Sequence, residues 1–304
     1  MMTKNKKMIV GFRSSSGHLK GKASASIIFS DDNGKTWSEE VIIDNGLDFK
    51  DSKYGIRNVN VTFLKNKSII ATYHENDGDY GSLYFKTSSD NGTTWSNRKQ
   101  ILFENFETNK ISCEGHLIEV DNRFVIPVFE GNKNDSLNAG VVISEDLSSW
   151  KYVKLPNQNG NEHENTLIKD NDQNLIMFYS DPTTEKLYRS ISKDKGNSWS
   201  IPQDITFTEW KVHHRPTVYY DSSTEHMFII FREKTEQSGA LAISYDKGVT
   251  WQRILTVNDD KRRITYGDFI KISKNKIGLV FASEQKSNGH NSNLYFAELI
   301  RTKK

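Results

Sequence analysis

The chain has little of what would tie it to a membrane or to an oxidising compartment. Cys113 is the only cysteine among 304 residues, so no internal disulfide can form. No apolar run approaches the ~20 residues of a membrane-spanning helix. The N-terminus has a basic start but only a very short apolar run, so it does not resemble a signal peptide. We expect a cytoplasmic protein or, if the chain is phage-derived or a fragment, a virion or extracellular one.

A strong net charge and proline are lacking as well. The formal net charge is +2, which gives no argument for binding to nucleic acid or to a membrane surface. Only 5 residues are proline, and no segment has a convincing helical pattern. A chain with 35% hydrophobic and 26% charged residues is ordinary globular material, long enough for one large core or a ring of small ones. The composition does not predict an oligomeric state.

What the chain does contain is a repeated motif, Ser-x-Asp-x-Gly-x-Thr/Ser-Trp. It occupies residues 30–37, 88–95, 192–199 and 244–251, and a shortened copy at 144–150 keeps the Ser, the Asp and the Trp. Repeat periods of about 40–50 residues with strand-like filling indicate propellers or solenoids. In such a motif Asp accepts backbone N–H groups, Gly adopts a positive φ, and Trp anchors the turn. We interpret the motif as a structural staple of a hairpin, remote from any chemistry.

Short β-branched or aromatic runs precede and follow each motif, as in a four-stranded unit at residues 56–102. Its strands read IRNVNVTFL, SIIATYHE, SLYFKTS and NRKQILF. Similar units begin near Cys113, Glu162, His213 and Thr265. The first unit begins at its second strand, and the last unit ends at its third. We predict one all-β domain over residues 1–304, a six-bladed β-propeller of four-stranded antiparallel blades. The terminal blades are incomplete or are closed by N- or C-terminal strands.

Polar residues begin the innermost strand of each predicted blade, although these strands otherwise alternate with apolar residues. In a propeller the starts of these strands converge on one mouth of the channel, where a ligand would bind. The comparable positions are Asn58, Glu114, Glu164, His214 and Tyr266. They are flanked by Arg57, His116, Glu162, His213, Arg215 and Asp268. We predict that this polar, charged and aromatic ring forms a functional mouth.

The repeated motifs resemble the Asp boxes of the sialidase superfamily of six-bladed propellers, and the resemblance covers almost the whole chain. It implies a glycan or polysaccharide ligand and no cofactor. The stretch from Tyr266 to Glu284 resembles the last blade of sialidases, which gives Tyr266 the position of the nucleophile and Glu284 that of a Glu that orients an arginine. Glu164 takes the position of the Glu that activates the tyrosine. Arg232 takes that of one of three arginines that hold the substrate carboxylate.

The resemblance is incomplete at two places. Tyr179 and Ser180 stand where the family has an arginine. The first blade lacks the inner strand that carries another arginine, and its loop RSSSGHLKGK contains no Asp for the acid/base role. The second blade resembles the first blade of sialidases better. There Arg57 could bind an acidic group, and Asp77 or Asp79 could be the acid.

Three functional hypotheses follow. We favour a sialidase-like glycoside hydrolase that acts on a glycan, acidic or neutral. Its nucleophile would be Tyr266 or a carboxylate, with Glu164 or Glu114 as the partner and Asp77 or Asp79 as the acid. The predicted substrate-binding residues are Arg57, Arg215, Arg232, His214, His116, Glu284 and Asp268.

The second hypothesis is a non-catalytic glycan-binding propeller, a lectin or a phage-type receptor-binding module, in which aromatic residues stack on sugars. These aromatic residues are Tyr54, Tyr80, Trp210 and Tyr266. The third is a polysaccharide lyase, with His214 or Tyr266 as base and Arg57 or Arg215 neutralising a uronate. A metal site is not predicted, because no fixed ligand spacing supports one. The residues considered for it are His163, Glu164, His213 and His214.

Overall fold

The computed structural model describes most of the chain, and strands dominate it. The described residues are 1–2, 6–15, 23–46, 55–76, 81–105, 111–131, 136–158, 160–161, 163–207, 212–233, 238–257, 262–285 and 293–301. Among them, no helix has the length and apolar character needed to cross a membrane.

Six antiparallel sheets follow one another along the chain, as the motif spacing predicts. The first sheet contains β1 (Met8–Ser15), β2 (Ala23–Ser30) and β3 (Val41–Asp44). The second contains β4 (Gly55–Phe63), β5 (Ile69–Asn76), β6 (Gly81–Ser88) and β7 (Lys99–Gln100). The third contains β8 (Ile111–Cys113), β9 (Ile118–Val120), β10 (Arg123–Gly131), β11 (Leu137–Ser144) and β12 (Lys151–Lys154).

The fourth sheet contains β13 (His163–Lys169), β14 (Leu175–Asp181), β15 (Lys186–Ser192) and β16 (Gln203–Asp204). The fifth contains β17 (Val212–Asp221), β18 (His226–Glu233), β19 (Gly239–Ser244) and β20 (Gln252–Val257). The sixth contains β21 (Arg262–Ser273), β22 (Lys276–Gln285) and β23 (Asn293–Ile300). Strands pair in chain order within each of the last three sheets. The architecture is an all-β six-bladed β-propeller, which confirms the predicted fold class.

The terminal sheets each contain three named strands, in agreement with the predicted incomplete blades. In the first, the N-terminal residues pair with β1. The Met1 amino group donates to the Ile9 carbonyl at 2.8 Å, the Ile9 N–H donates to the Met1 carbonyl at 2.9 Å, and Met2 pairs with Met8. The short N-terminus therefore supplies a rudiment of the inner strand that the sequence pattern lacks in this blade.

Two compact units can be distinguished along the chain. The first unit comprises residues 1–135 and 142–152, and the second comprises residues 136–141 and 153–304. The prediction of a single domain over residues 1–304 stays a prediction.

In the first unit, the second strand of the second sheet is buried on both faces. Successive side chains of a strand point to opposite faces of a sheet. Ile69 and Tyr73 of β5 therefore join one apolar cluster with Ile9, whereas Ile70 joins another with Trp150. Burial on both faces explains why the first five residues of β5, IIATY, are apolar except for Thr72. The side chains of β18 in the second unit alternate between two apolar clusters in the same way.

The repeated motif is a hairpin staple, which confirms its structural interpretation. In the copy at 88–95, the Asp90 carboxylate accepts the backbone N–H of Thr94 at 2.9 Å and its hydroxyl at 2.6 Å. The Ser88 hydroxyl donates to Asp90 at 2.7 Å and accepts the N–H of Gly92 at 2.9 Å. The Trp95 indole N–H donates to the Gly92 carbonyl at 3.1 Å, and Gly92 has a φ of 89°. The polar side chains of this copy therefore bond within the turn, as a structural role requires.

The staple predicts a loss of stability in acid. Hydrogen bonds from the Thr94 hydroxyl and N–H lower the pKa of Asp90 from 3.8 to about 2. A carboxylate whose pKa is lower in the folded state contributes stability above its unfolded pKa and loses it as the pH falls through the folded value. Thr94→Val removes one donor, so we expect less loss of stability between pH 3.8 and about 2 than in the unchanged protein.

The measurement is the urea midpoint as a function of pH. The matched control is Thr93→Val, because the Thr93 hydroxyl donates to the backbone carbonyl of Asp90 and not to its carboxylate. Identical pH profiles for Thr94→Val and Thr93→Val would contradict the assignment.

Candidate functional site

In the first unit, the inner strand of the second sheet is interrupted where the sequence predicts a ring residue. The register of β4 against β5 shifts between Arg57 and Asn60, and Asn58 adopts a φ of 52°. A bulge and a positive φ in a residue other than glycine are features that concentrate at functional sites. The conformation of Asn58 is held by its neighbours, because the Asn60 amide donates to the Asn58 carbonyl at 2.9 Å.

Glu114 is brought to this bulge by a second interruption. β8 ends at Cys113 and β9 begins at Ile118, both strands pair with β10, and Glu114 lies in the gap between them. Its side chain is buried, and its carboxylate accepts a hydrogen bond from the Asn58 amide. The structure therefore brings together Asn58 and Glu114, two predicted ring residues that are far apart in sequence.

His74 is a neighbour of this cluster that the sequence analysis missed. It lies opposite half-buried Arg57 in the β4–β5 register and is itself buried. Its Nε2 lies 3.3 Å from the hydroxyl of Ser112. The signal that could have found it is the pair His74–Glu75 at the end of an otherwise apolar strand. His116, in contrast, contacts the Val61 carbonyl through Nδ1 at 3.1 Å, so the substrate-binding role predicted for it stays a prediction.

A buried ionic cluster lies at the end of the same strand, β5. The Arg98 guanidinium forms an ion pair with Glu75 and lies 3.7 Å from Asp44. The Tyr73 hydroxyl donates to Asp44 at 2.5 Å, and burial, followed by this bond, raises the pKa of Tyr73 well above its usual range. The Arg98 guanidinium also stacks 3.8 Å above the ring of Tyr84. These contacts fix the end of the strand that carries His74.

In the second unit, the inner strand β13 has the same defect as β4. Its register against β14 shifts between His163 and Thr166, and half-buried Glu164 adopts a φ of 54° within the shift. Neighbouring Asn165 is fully buried. A positive φ is uncommon for a residue other than glycine, and here it lies within a bulge at the inner-strand position predicted for Glu164.

The other two inner strands of the second unit are also irregular at the predicted ring positions. The register of β17 shifts on both sides of His214, and that of β21 shifts between Ile264 and Tyr266. Tyr266 is half-buried and pairs with Ala282. Arg232 is half-buried and lies directly opposite His214 in the β17–β18 register. Each predicted ring residue in this unit therefore lies at a register shift of its strand.

The residues in the position of the missing arginine are part of the core. Ser180 and Tyr179 of β14 are fully buried, and the Tyr179 ring stacks on Tyr188 with centroids 5.4 Å apart. No guanidinium is supplied from this position.

The remaining predicted residues divide into three groups. Asp268 is half-buried, and its carboxylate accepts the N–H of Phe269 at 2.8 Å. The backbones of three residues lie in strands, and their side chains are outside the described part; these are His214, Arg215 and Glu284. Other predicted positions lie wholly outside the described residues; these are Asp77, Asp79, Tyr54, Tyr80, Glu162 and Trp210. In the described part, no group of three or more His, Cys, Asp and Glu residues is placed to hold a metal ion.

The bulged inner strands, the stapled hairpins and the six sheets together correspond to a known repeat family. A family profile described as BNR repeat-like domain matches residues 6–279. The chain belongs to this family. No curated protein matches the chain of this BNR-repeat protein.

Solved structures similar to the BNR-repeat protein include both sialidases and a protein of unknown function. The unknown-function protein from Dyadobacter fermentans superposes with a TM-score of 0.80 at 15% identity, covering 99% of this chain and 93% of that one. The NanB sialidase from Streptococcus pneumoniae gives 0.78 at 14%, covering 99% and 67%. The intramolecular trans-sialidase from Ruminococcus gnavus gives 0.78 at 13%, covering 99% and 93%. At these identities the likeness shows a sialidase-like propeller fold.

Proposed function

We propose that this BNR-repeat protein is a sialidase-like glycoside hydrolase and that Tyr266 and Glu164 form its nucleophilic pair. The observation that carries the proposal is the coincidence of two independent features in the second unit. Both residues occupy the positions that resemble the sialidase nucleophile and its activating Glu, and both stand at bulges of inner strands. Bulges re-aim side chains and are over-represented next to active sites.

The chemistry of the pair is that of an activated phenol. Glu164 accepts the phenolic proton while the Tyr266 oxygen forms a bond to the anomeric carbon of the sugar. The glycosidic C–O bond breaks, and the leaving oxygen takes a proton from the acid, for which Asp77 and Asp79 remain the predicted candidates. Water then attacks the anomeric carbon and gives a proton to the carboxylate that served as the acid, while the C–O bond to Tyr266 breaks and the phenol oxygen regains its proton from Glu164. A neutral phenol suits an anionic sugar better than a permanently charged carboxylate nucleophile does.

A non-catalytic glycan-binding propeller is the second candidate, and one observation favours it. Ser180 and Tyr179 are buried where a third arginine would hold a substrate carboxylate. A bidentate arginine grip is hard to replace by a hydroxyl. A protein with this change could keep a sugar-binding surface after its catalytic grip on an acidic sugar is lost.

The experiment is a panel of sialosides, uronic-acid polymers and bacterial surface polysaccharides incubated with the full chain and followed by mass spectrometry. We expect release of a sugar with one added water. An unsaturated sugar product would identify the protein as a polysaccharide lyase, with His214 or Tyr266 as the base. Binding without any product, seen by calorimetry on the same panel, would establish the glycan-binding alternative and overturn the hydrolase.

A further inference from the structure

The outer edge of the last sheet differs from those of the other five. The strands that end those sheets are short: β3 and β12 have four residues each, β7 and β16 have two each, and β20 has six. β23 has eight residues, and no further strand follows it in its sheet among the described residues. A strand at the edge of a sheet offers its backbone N–H and C=O groups to another chain.

The usual protections of an edge strand are absent from β23. Its register with β22 is continuous over eight residue pairs, so no bulge twists it away. Its sequence, NLYFAELI, contains no proline and one charged residue, Glu298. The Glu298 carboxylate is neutralised from within the sheet by the Lys276 ammonium at 2.9 Å. Leu294, Tyr295 and Ile300 are 43%, 40% and 57% exposed. Long, apolar edges with few charges are strand-pairing sites.

We propose that β23 pairs antiparallel with β23 of a second copy of this chain, about a two-fold axis centred on Ala297. A two-fold axis perpendicular to the sheet keeps every side chain on its own face, so it must pass through a residue and not between two residues. Centred on Ala297, it places Leu294 opposite Ile300 and Tyr295 opposite Leu299. Each pair occurs twice, and the exposed apolar side chains cover one another.

The alternative centre is less favourable, which selects the register. An axis through Phe296 would place Leu294 opposite Glu298 and Asn293 opposite Leu299, so two polar groups would face apolar ones at each end. Aromatic and branched apolar pairs across strands stabilise a sheet by roughly 0.2–1 kcal/mol each. The Ala297 register has two such pairs on each side of the axis and one mismatched pair, Phe296 opposite Glu298. The Phe296 register has only the Phe296–Phe296 pair on the axis and two mismatched pairs on each side.

The test is a cysteine at the two-fold axis. Directly opposite residues in antiparallel strands have Cβ atoms about 4.5–5.5 Å apart, close enough to form a disulfide with little backbone movement. We expect the full-length Ala297→Cys variant to form a covalent dimer under mild oxidation, read on a non-reducing gel. Native Cys113 is buried and does not interfere. The matched control is Ile201→Cys, exposed but outside β23, which should stay monomeric.

A variant that adds a charge to β23 tests the same surface without a disulfide cross-link. Leu294→Lys places an ammonium opposite Ile300, and we expect it to return the protein to a monomer in a light-scattering concentration series. Ile201→Lys should leave the dimer intact, and neither variant should change the thermal midpoint of the dilute protein. A monomer at every concentration, equal cross-linking of the two cysteine variants, or a dimer indifferent to Leu294→Lys would each overturn the proposal.

Discussion

Tyr266→Phe is expected to lower kcat/KM for glycan hydrolysis on the order of 10³-fold or more, the largest functional effect that the structure predicts. The change removes one oxygen atom, the proposed nucleophile, and keeps the half-buried aromatic ring. Binding should survive, so KM should change little while kcat falls. The measurement is steady-state kinetics on the substrate class that the glycan panel identifies.

Glu164→Gln tests whether the two residues act as a pair. Removal of a general base typically costs about 10²–10⁴-fold. If Glu164 serves only to activate Tyr266, kcat/KM of the double variant should be no lower than that of the less active single variant. The reason is that the effects of residues that act as a unit are not additive. A product of the two single losses would mean that Glu164 has a separate role.

Tyr245→Phe is the matched control for the tyrosine. Tyr245 lies in the motif at residues 244–251, with 62% of its surface exposed, and it contacts the His226 ring. Its replacement should leave kcat/KM unchanged. A loss in Tyr245→Phe as large as that in Tyr266→Phe would show that the assay reports general damage, and retained activity in Tyr266→Phe would exclude it as the nucleophile.

The repeat and the alternation of apolar residues were enough to predict the sheets, and they also singled out the residues of the predicted ring. A strand buried on both faces must be apolar throughout, so a polar residue at the start of an inner strand is conspicuous in the sequence. The ring positions Asn58, Glu114, Glu164, His214 and Tyr266 all fall at a bulge or a break in the structure.

The backbone conformation at those positions could not be predicted from local propensity. A positive φ is ordinarily read from glycine, yet Asn58 and Glu164 adopt it in the middle of strands. Contacts that exist only in the folded chain, such as the hydrogen bond from the Asn58 amide to the distant Glu114 carboxylate, accompany the conformation. The sequence left open whether the N-terminus supplies the missing inner strand of the first blade, because the two residues that pair there, Met1 and Met2, are too few to carry an alternating pattern.

The ionic cluster around Arg98 was missed because its members are scattered. Asp44 ends one strand, Tyr73 and Glu75 belong to β5, and Arg98 follows a staple, so each looks in sequence like an ordinary surface charge or a core residue. Only the packing of β3 against the neighbouring sheet brings them together. A buried cluster of this kind has a large and testable energetic consequence.

Arg98→Met is expected to destabilise the protein by about 3 kcal/mol, the largest effect on stability that the described contacts predict. Removing one partner of a buried ion pair leaves the other charge buried and uncompensated, which costs about 3–5 kcal/mol, and the partial exposure of Arg98 places the value at the lower end. The exposed pair Lys186–Asp204, with nitrogen and oxygen 2.9 Å apart, is the matched control. Lys186→Met should leave the urea midpoint almost unchanged, because solvent screens an exposed pair. Urea unfolding of the intact chain measures both.

The double variant Arg98→Met with Glu75→Gln separates the two contributions to that loss. If the cost comes mainly from the carboxylate of Glu75, which is only 3% exposed, neutralising it should recover part of the stability lost in Arg98→Met alone. The stacking of Arg98 on Tyr84 is lost in both variants, and the Asp44 carboxylate keeps its bond from Tyr73, so neither accounts for the difference. Equal midpoints for the single and double variants would mean that Arg98 acts through packing on Tyr84 and not through charge. A shift in Lys186→Met as large as that in Arg98→Met would contradict the assignment of a buried pair.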